Sequence, residues 1–161
     1  MAMKKHAVPG LWVVVAMGLL GTTGAGADEG FNGAVADKAH YGAIFQIDSG
    51  SGSGIKKTLN NIENLLHDPR VAGKITVELI ANSTGFNAYA LNNGFEKQLR
   101  HLQSEGVILA QCSNTLRELH VDRKDLYPFV TVVPSGVGEI TLREAEGWAY
   151  IHPTPPEPDQ L

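Results

Sequence analysis

Val107-Ile108-Leu109-Ala110-Gln111-Cys112-Ser113-Asn114-Thr115-Leu116 is the stretch that decides the fold. A short apolar run ends at the only cysteine, polar residues follow at once, and a helical spacing then begins with Leu116 and Leu119. Such a pattern reads as a strand that turns into a helix at its carboxyl end. That is the edge at which open parallel sheets hold their ligands.

Upstream, Tyr41-Gly42-Ala43-Ile44-Phe45-Gln46-Ile47 is apolar almost throughout, as expected of a strand covered on both faces. Ile55, Leu59, Ile62, Leu65 and Leu66 then make one helical stripe, which Asp68-Pro69 ends. Ile75 to Ile80 reads as the second strand, and Ala81 to Asn87 as a turn-rich loop. Leu91, Phe95, Leu99 and Leu102 share one face of a second helix, closed by Gly106.

Downstream of the cysteine, the short helix is expected to end near His120, and Asp122 to Tyr127 forms a polar connection with room for one helical turn. Phe129-Val130-Thr131-Val132-Val133 reads as a fourth strand, Ser135 to Glu146 as a last helix, and Trp148-Ala149-Tyr150-Ile151 as a fifth strand. The order βαβαβαβαβ predicts an α/β fold, a three-layer α/β/α sandwich around a mainly parallel five-stranded sheet. No internal repeat and no second domain are indicated.

The chain has 161 residues, with 13 lysines and arginines against 17 acids, a net charge of −4. Lys4 and Lys5 followed by the apolar run Leu11 to Leu20 and by Ala25-Gly26-Ala27 read as a cleavable signal peptide over 1–27. The apolar run is short for a membrane span, so no stable span is expected after cleavage and the mature protein should be periplasmic or secreted. An uncleaved N-terminal anchor is the alternative. Residues 28–40 read as a flexible lead-in, 41–153 as the folded domain, and 154–161 as a Pro-rich tail. Removal of two lysines would shift the balance to about −6, which argues against nucleic acid as a partner.

A single cysteine in an exported protein is buried and inert, paired to another chain, or a reactive thiol. At a helix start, unpaired N–H groups and the helix dipole lower a thiol's pKa. Ser113, Asn114 and Thr115 are capping types that could add hydrogen bonds to an anionic sulfur. The alternative is that Cys112 acts as a small hydrophobe closing a strand.

Other chemistries fit poorly. Gly50-Ser51-Gly52-Ser53-Gly54 departs from both the dinucleotide and the P-loop glycine patterns, which leaves a flexible rim whose N–H groups would face the crevice of Cys112. No cofactor is expected. The histidines beyond residue 27 (His40, His67, His101, His120 and His152) suggest no metal site, and His67 and His101 read as surface residues near helix ends. His120 could approach Cys112 as a dyad partner. No Gly-x-Ser-x-Gly elbow is present. Glu139 reads as an ordinary first-turn acid.

Gly106-Val107 leading through Ala110-Gln111-Cys112-Ser113-Asn114-Thr115-Leu116 resembles the cysteine motif of the DsrE/DsrF-like sulfur-relay family. Val133-Pro134-Ser135-Gly136-Val137 with Glu139-Ile140, followed by Glu146-Gly147-Trp148-Ala149-Tyr150-Ile151, is similar to its C-terminal signature. The likeness runs from about Tyr41 to Pro153. It implies a parallel α/β fold assembled as a homotrimer or hexamer, with a cysteine that carries sulfane sulfur as a persulfide. That role would fall on Cys112, with Ser113, Asn114, Thr115, Asn82 and Gly136 around the substrate. Two features depart from the family: Ala81-Asn82-Ser83-Thr84-Gly85 stands where many relatives carry a histidine and glycines, and the chain reads as exported. The expected ligand is a small sulfur-containing or anionic molecule, or the thiol of an acceptor protein. The rival expectation is a non-catalytic oligomeric module that binds a small ligand, with Cys112 lining its crevice.

Overall fold

A computed structural model describes residues 33–153. The expected signal segment 1–27, the first part of the expected lead-in and the expected tail 154–161 lie outside the described residues. The described residues from Val35 onward belong to one compact unit.

Five strands, β1 (Tyr41–Ile47), β2 (Ile75–Ala81), β3 (Ile108–Cys112), β4 (Thr131–Val133) and β5 (Ala149–Ile151), make one sheet in the order β4-β3-β2-β1-β5. All four pairings are parallel, which meets the expectation of a mainly parallel α/β/α sandwich. The long central pairing puts Tyr41 to Ile47 beside Ile75 to Ala81, while β4 and β5 are three-residue edges. Such short edges offer little template for pairing with other chains.

The helices divide unequally. Helices α1 (Gly52–Leu66), α2 (Glu96–Ser104) and α3 (Ser113–Glu118) cover one face. Alternate strand residues (Ala43, Phe45, Ile47, Val77, Leu79, Leu109) meet Ile55, Leu59, Ile62, Leu99, Leu102 and Leu116 there in an apolar core. Helix α4 (Gly136–Ala145) alone covers the other face, where Ile44, Ile80 and Ala110 are buried and Val133, Ile140 and Trp148 pack against them. Gly42 is small because the Trp148 ring occupies the space a side chain would need.

Two boundaries differ from the sequence reading. The second helix starts at Glu96, five residues after Leu91, which is exposed. A 3-10 turn over Ser83–Ala88 and a knot around Asn93 take its place. The Asn93 amide donates to the carbonyls of Asn87 (2.6 Å) and Ala88 (2.7 Å), and its oxygen accepts from the Phe95 N–H and the Tyr127 hydroxyl. A short polar side chain has thus replaced a helical turn by bonding the backbone itself. Likewise β4 begins at Thr131 and not at Phe129, whose ring stacks on Tyr127 at 5.2 Å.

Candidate functional site

Cys112 is the last residue of β3 and the N-cap of α3. It pairs in register with Val133, the last residue of β4. After β3 the chain turns to the face of α1 and α2, and after β4 it turns to the face of α4. Two neighbouring strands whose connections leave in opposite directions open a crevice between them, and that switch point is where doubly wound sheets bind ligands. Two helix N-termini therefore converge on one thiol.

Cys112 is only 6% exposed, so its side chain is largely covered at that edge of the sheet. Burial alone would raise its pKa. The backbone N–H groups of Thr115, Gly136 and Asn114, with the Thr115 hydroxyl, act against burial and leave the thiol below its ordinary value. Gly136 belongs to α4 and the other two to α3, so each helix contributes.

Most of the expected site residues gather here. The hydroxyl of buried Thr115 accepts from the Ser83 N–H at 2.9 Å, which leaves its own proton to donate to the sulfur. Ser83 holds a positive φ of 49° to present that N–H. Asn82 follows β2 and is tied down by its own N–H, which donates to the Ile47 carbonyl at 3.0 Å. A Cβ on Gly136 would stand 3.2 Å from the Cys112 Cβ and 3.4 Å from the Asn82 Cβ. Cys112, Asn82 and Gly136 thus flank one another, and glycine is needed for that approach. Ser135 caps α4 by accepting from the Gly138 N–H at 3.2 Å. Ser113 and Asn114 are half-buried at the start of α3.

Two expectations are corrected. In the glycine-serine loop, the Gly50 N–H donates to Thr84 Oγ1 (3.0 Å) and the Gly54 N–H to Ser51 Oγ (3.4 Å), the N-cap of α1. The Gly54 group caps its own helix and the Gly50 group ties the loop to the turn after β2, so neither is directed at Cys112. His120 sits past the far end of α3, on the order of 10 Å from the helix start by its length. There it borders an outer groove of about 670 Å³ with Ser113, Leu116 and Arg117, so no Cys–His dyad forms.

Sequence reading missed two polar strand residues on the α4 face, Gln46 and Glu78, and their partners Tyr150 and Arg143. Gln46 in β1 donates from Nε2 to Asn82 Oδ1 at 2.9 Å, and its own oxygen accepts from the Tyr150 hydroxyl. Glu78 in the middle of β2 is 1% exposed and accepts from Arg143 Nε at 2.7 Å. The Arg143 guanidinium stacks 4.3 Å from the Trp148 ring centre and also meets Glu139 and Glu146. Burial raises the Glu78 pKa, with Arg143 opposing. Polar residues inside otherwise apolar strands were the available signal.

His67 and His101 are exposed, as expected, and lie near Glu105 across α1 and α2, at 3.5 and 3.9 Å. Among the described residues no three His, Cys, Asp or Glu side chains form a cluster that could hold a metal ion. Nor, among them, is any helix long and apolar enough to cross a membrane.

No family model and no curated protein matches this chain. Among solved structures it is similar to MTH1491 from Methanobacterium thermoautotrophicum, described as a protein of unknown function. The two are 37% identical with a TM-score of 0.66, over 70% of this chain and 99% of the other. The match spans almost the whole of that protein at an identity that marks common descent, so the chain belongs to the same family as MTH1491.

Proposed function

We propose that this protein handles reactive sulfur in the manner of the DsrE/DsrF-like relay proteins, with Cys112 as the persulfide-forming thiol. The observation that carries the reading is the convergence of three backbone N–H groups, from two helices, on a thiol whose pKa falls despite burial. A thiolate is the nucleophile in sulfur transfer. Cys112-S⁻ attacks the outer sulfur of a persulfide or polysulfide, R–S–S⁻. The new S–S bond gives Cys112–S–S⁻, the old S–S bond breaks, and its electron pair leaves on R–S⁻. An acceptor thiolate then attacks the outer sulfur and returns Cys112-S⁻, so no external oxidant or reductant is required.

The same N–H groups stabilise negative charge at the resting thiolate. Mass spectrometry after exposure to excess polysulfide tests the reading: a gain of one sulfur on Cys112 is expected, and an unmodified Cys112 under saturating donor overturns it. The sequence of residues 1–27 supports export to the periplasm or beyond. Exposed apolar side chains on α4, Val137 and Leu142, support assembly into a trimer or hexamer.

A second reading is favoured by one observation, the 6% exposure of Cys112. In it the protein is a non-catalytic oligomeric module that binds a small anionic ligand, with the cysteine lining the crevice. Cys112→Ser separates the two. Sulfite or thiosulfate affinity that survives the substitution, with no sulfur uptake by the wild type, favours the module.

A further inference from the structure

We propose that Gln46 and Tyr150 are positioning residues that turn the Asn82 carboxamide, so that its N–H₂ group donates to the sulfur carried by Cys112. This rests on the sulfur-transfer reading above and assigns it two residues outside the cysteine motif. The argument concerns the polarity of a hydrogen-bond chain.

The Tyr150 hydroxyl donates to Gln46 Oε1, and Gln46 Nε2 donates to Asn82 Oδ1 at 2.9 Å. The two bonds run the same way: each oxygen accepts from the residue before it, and the Gln46 carboxamide links them by accepting at one end and donating at the other. Each carboxamide in the chain accepts on its oxygen and donates from its nitrogen. With Asn82 Oδ1 engaged, the nitrogen is the end that faces the crevice. Its Cβ stands beside Gly136, as the Cys112 Cβ does. Sγ itself already has the Thr115, Gly136 and Asn114 donors. The atom it suits is one bond further out: the terminal sulfur of Cys112–S–S⁻, where the negative charge arrives.

A single substitution reverses the chain. In Gln46→Glu the carboxylate can only accept, so it takes N–H from Asn82 as well as O–H from Tyr150. Asn82 must then present its carbonyl oxygen to the anionic sulfur. Protonating that carboxyl restores one donor and the original direction. The other ionisable groups around the crevice are Asp48, His152, Glu78, Glu139, Arg143, Glu144, Tyr150 and Cys112. All are common to wild type and variant, so the rate ratio between them at each pH isolates residue 46.

The experiment measures two rates on the full chain, persulfide formation at Cys112 from polysulfide and alkylation of Cys112 by iodoacetamide across pH. In Gln46→Leu and Asn82→Ala, sulfuration should slow about tenfold, the loss of one hydrogen bond to a charged group. Tyr150→Phe should show a smaller loss. In all three the pH midpoint of alkylation should stay at the wild-type value, because the Thr115, Gly136 and Asn114 donors are intact. Gln46→Glu should be slowest near neutral pH and should recover as pH falls through the carboxyl's titration. Sulfuration at the wild-type rate in Gln46→Leu and Gln46→Glu overturns the assignment alone. So does a parallel loss of alkylation and sulfuration, which indicates a merely structural role. A wild-type Cys112 that takes up no sulfur overturns the transfer reading and this assignment together.

Discussion

Among the described residues, nineteen buried on the α1–α3 face form one apolar cluster, whereas the apolar cluster under α4 has three, Ile44, Ile80 and Ala110. The same strands supply both faces, since alternate residues point to opposite sides. The first face is filled by aliphatic side chains together with Phe45, Tyr89 and Tyr127. The second mixes those three with Gln46, Glu78, Asn82, Cys112 and Tyr150. Hydrophobic burial scales with apolar area, so the first face holds the domain together. The second is left free to carry polar groups whose geometry matters more than their contribution to stability. Cys112 is placed where the thin layer meets the end of the thick one.

This contrast can be tested by substitution. The largest effect is expected on the thick face: Leu59→Ala, at a fully buried position of α1, should cost about 3 kcal/mol in denaturant unfolding. Ile140→Ala, in the thin layer, should cost about 1 kcal/mol. Equal losses would show that α4 packs as firmly as α1.

Next in size is the ion pair that substitutes for apolar packing under α4. Arg143→Met should cost about 2 kcal/mol at neutral pH, because it strands the buried Glu78 carboxylate. The pH dependence has a definite sign. The folded pKa of Glu78 is raised, so the folded state binds its proton more tightly than the unfolded chain. The stability that this proton contributes is present below the ordinary glutamate range and is lost as pH rises through the folded value. Wild type should therefore gain on Glu78→Gln as pH falls from neutrality, in parallel thermal melts. A constant difference would mean that Glu78 does not titrate in this way.

Smaller still, Gly136→Ala should cost about 1 kcal/mol by crowding Cys112 and Asn82. Its clearer readout is the iodoacetamide midpoint of Cys112, which should move up as the Gly136 N–H is displaced. Least of all, Cys112→Ser should change stability at pH 7 by less than about 1 kcal/mol. The folded thiol pKa is depressed, so its contribution is present above the unfolded thiol value and lost as pH falls through the folded one. The gap between wild type and Cys112→Ser should widen toward alkaline pH, read by urea midpoints.

Much of the thick face was legible because periodicity reports burial. The spacing of Ile55, Leu59 and Ile62 fixes α1, and the apolar runs fix β1, β2 and β3. The start of α2 was not legible: Leu91 continues the helical spacing, but the Asn93 side chain binds the preceding carbonyls and ends that option. At the site, Cys112, Asn114, Thr115, Asn82 and Gly136 could be named from motif position. Their arrangement depends on Val133 pairing with Cys112, which no local pattern encodes. Gln46 and Glu78 were overlooked because one polar residue scarcely disturbs an apolar run. Their partners, Tyr150 and Arg143, lie far along the chain. His120 and the glycine-serine loop were assigned to the crevice from chain proximity, which helix length and capping overrule.

Between α3 and β4 the backbone has little regular structure, and Arg123 stands in for it. Its guanidinium donates to the carbonyls of Leu126, Tyr127, Pro128 and Val130, the last at 2.7 Å. A planar fork with five N–H groups can gather four acceptors, and an ammonium cannot. Beside the buried side chains of Leu126, Tyr127 and Val130, this one guanidinium ties the segment's carbonyls together. In hydrogen-exchange terms, residues 121–130 should behave as a single latch: opened by Arg123→Lys, their amides would exchange as a group while the central strands stay protected.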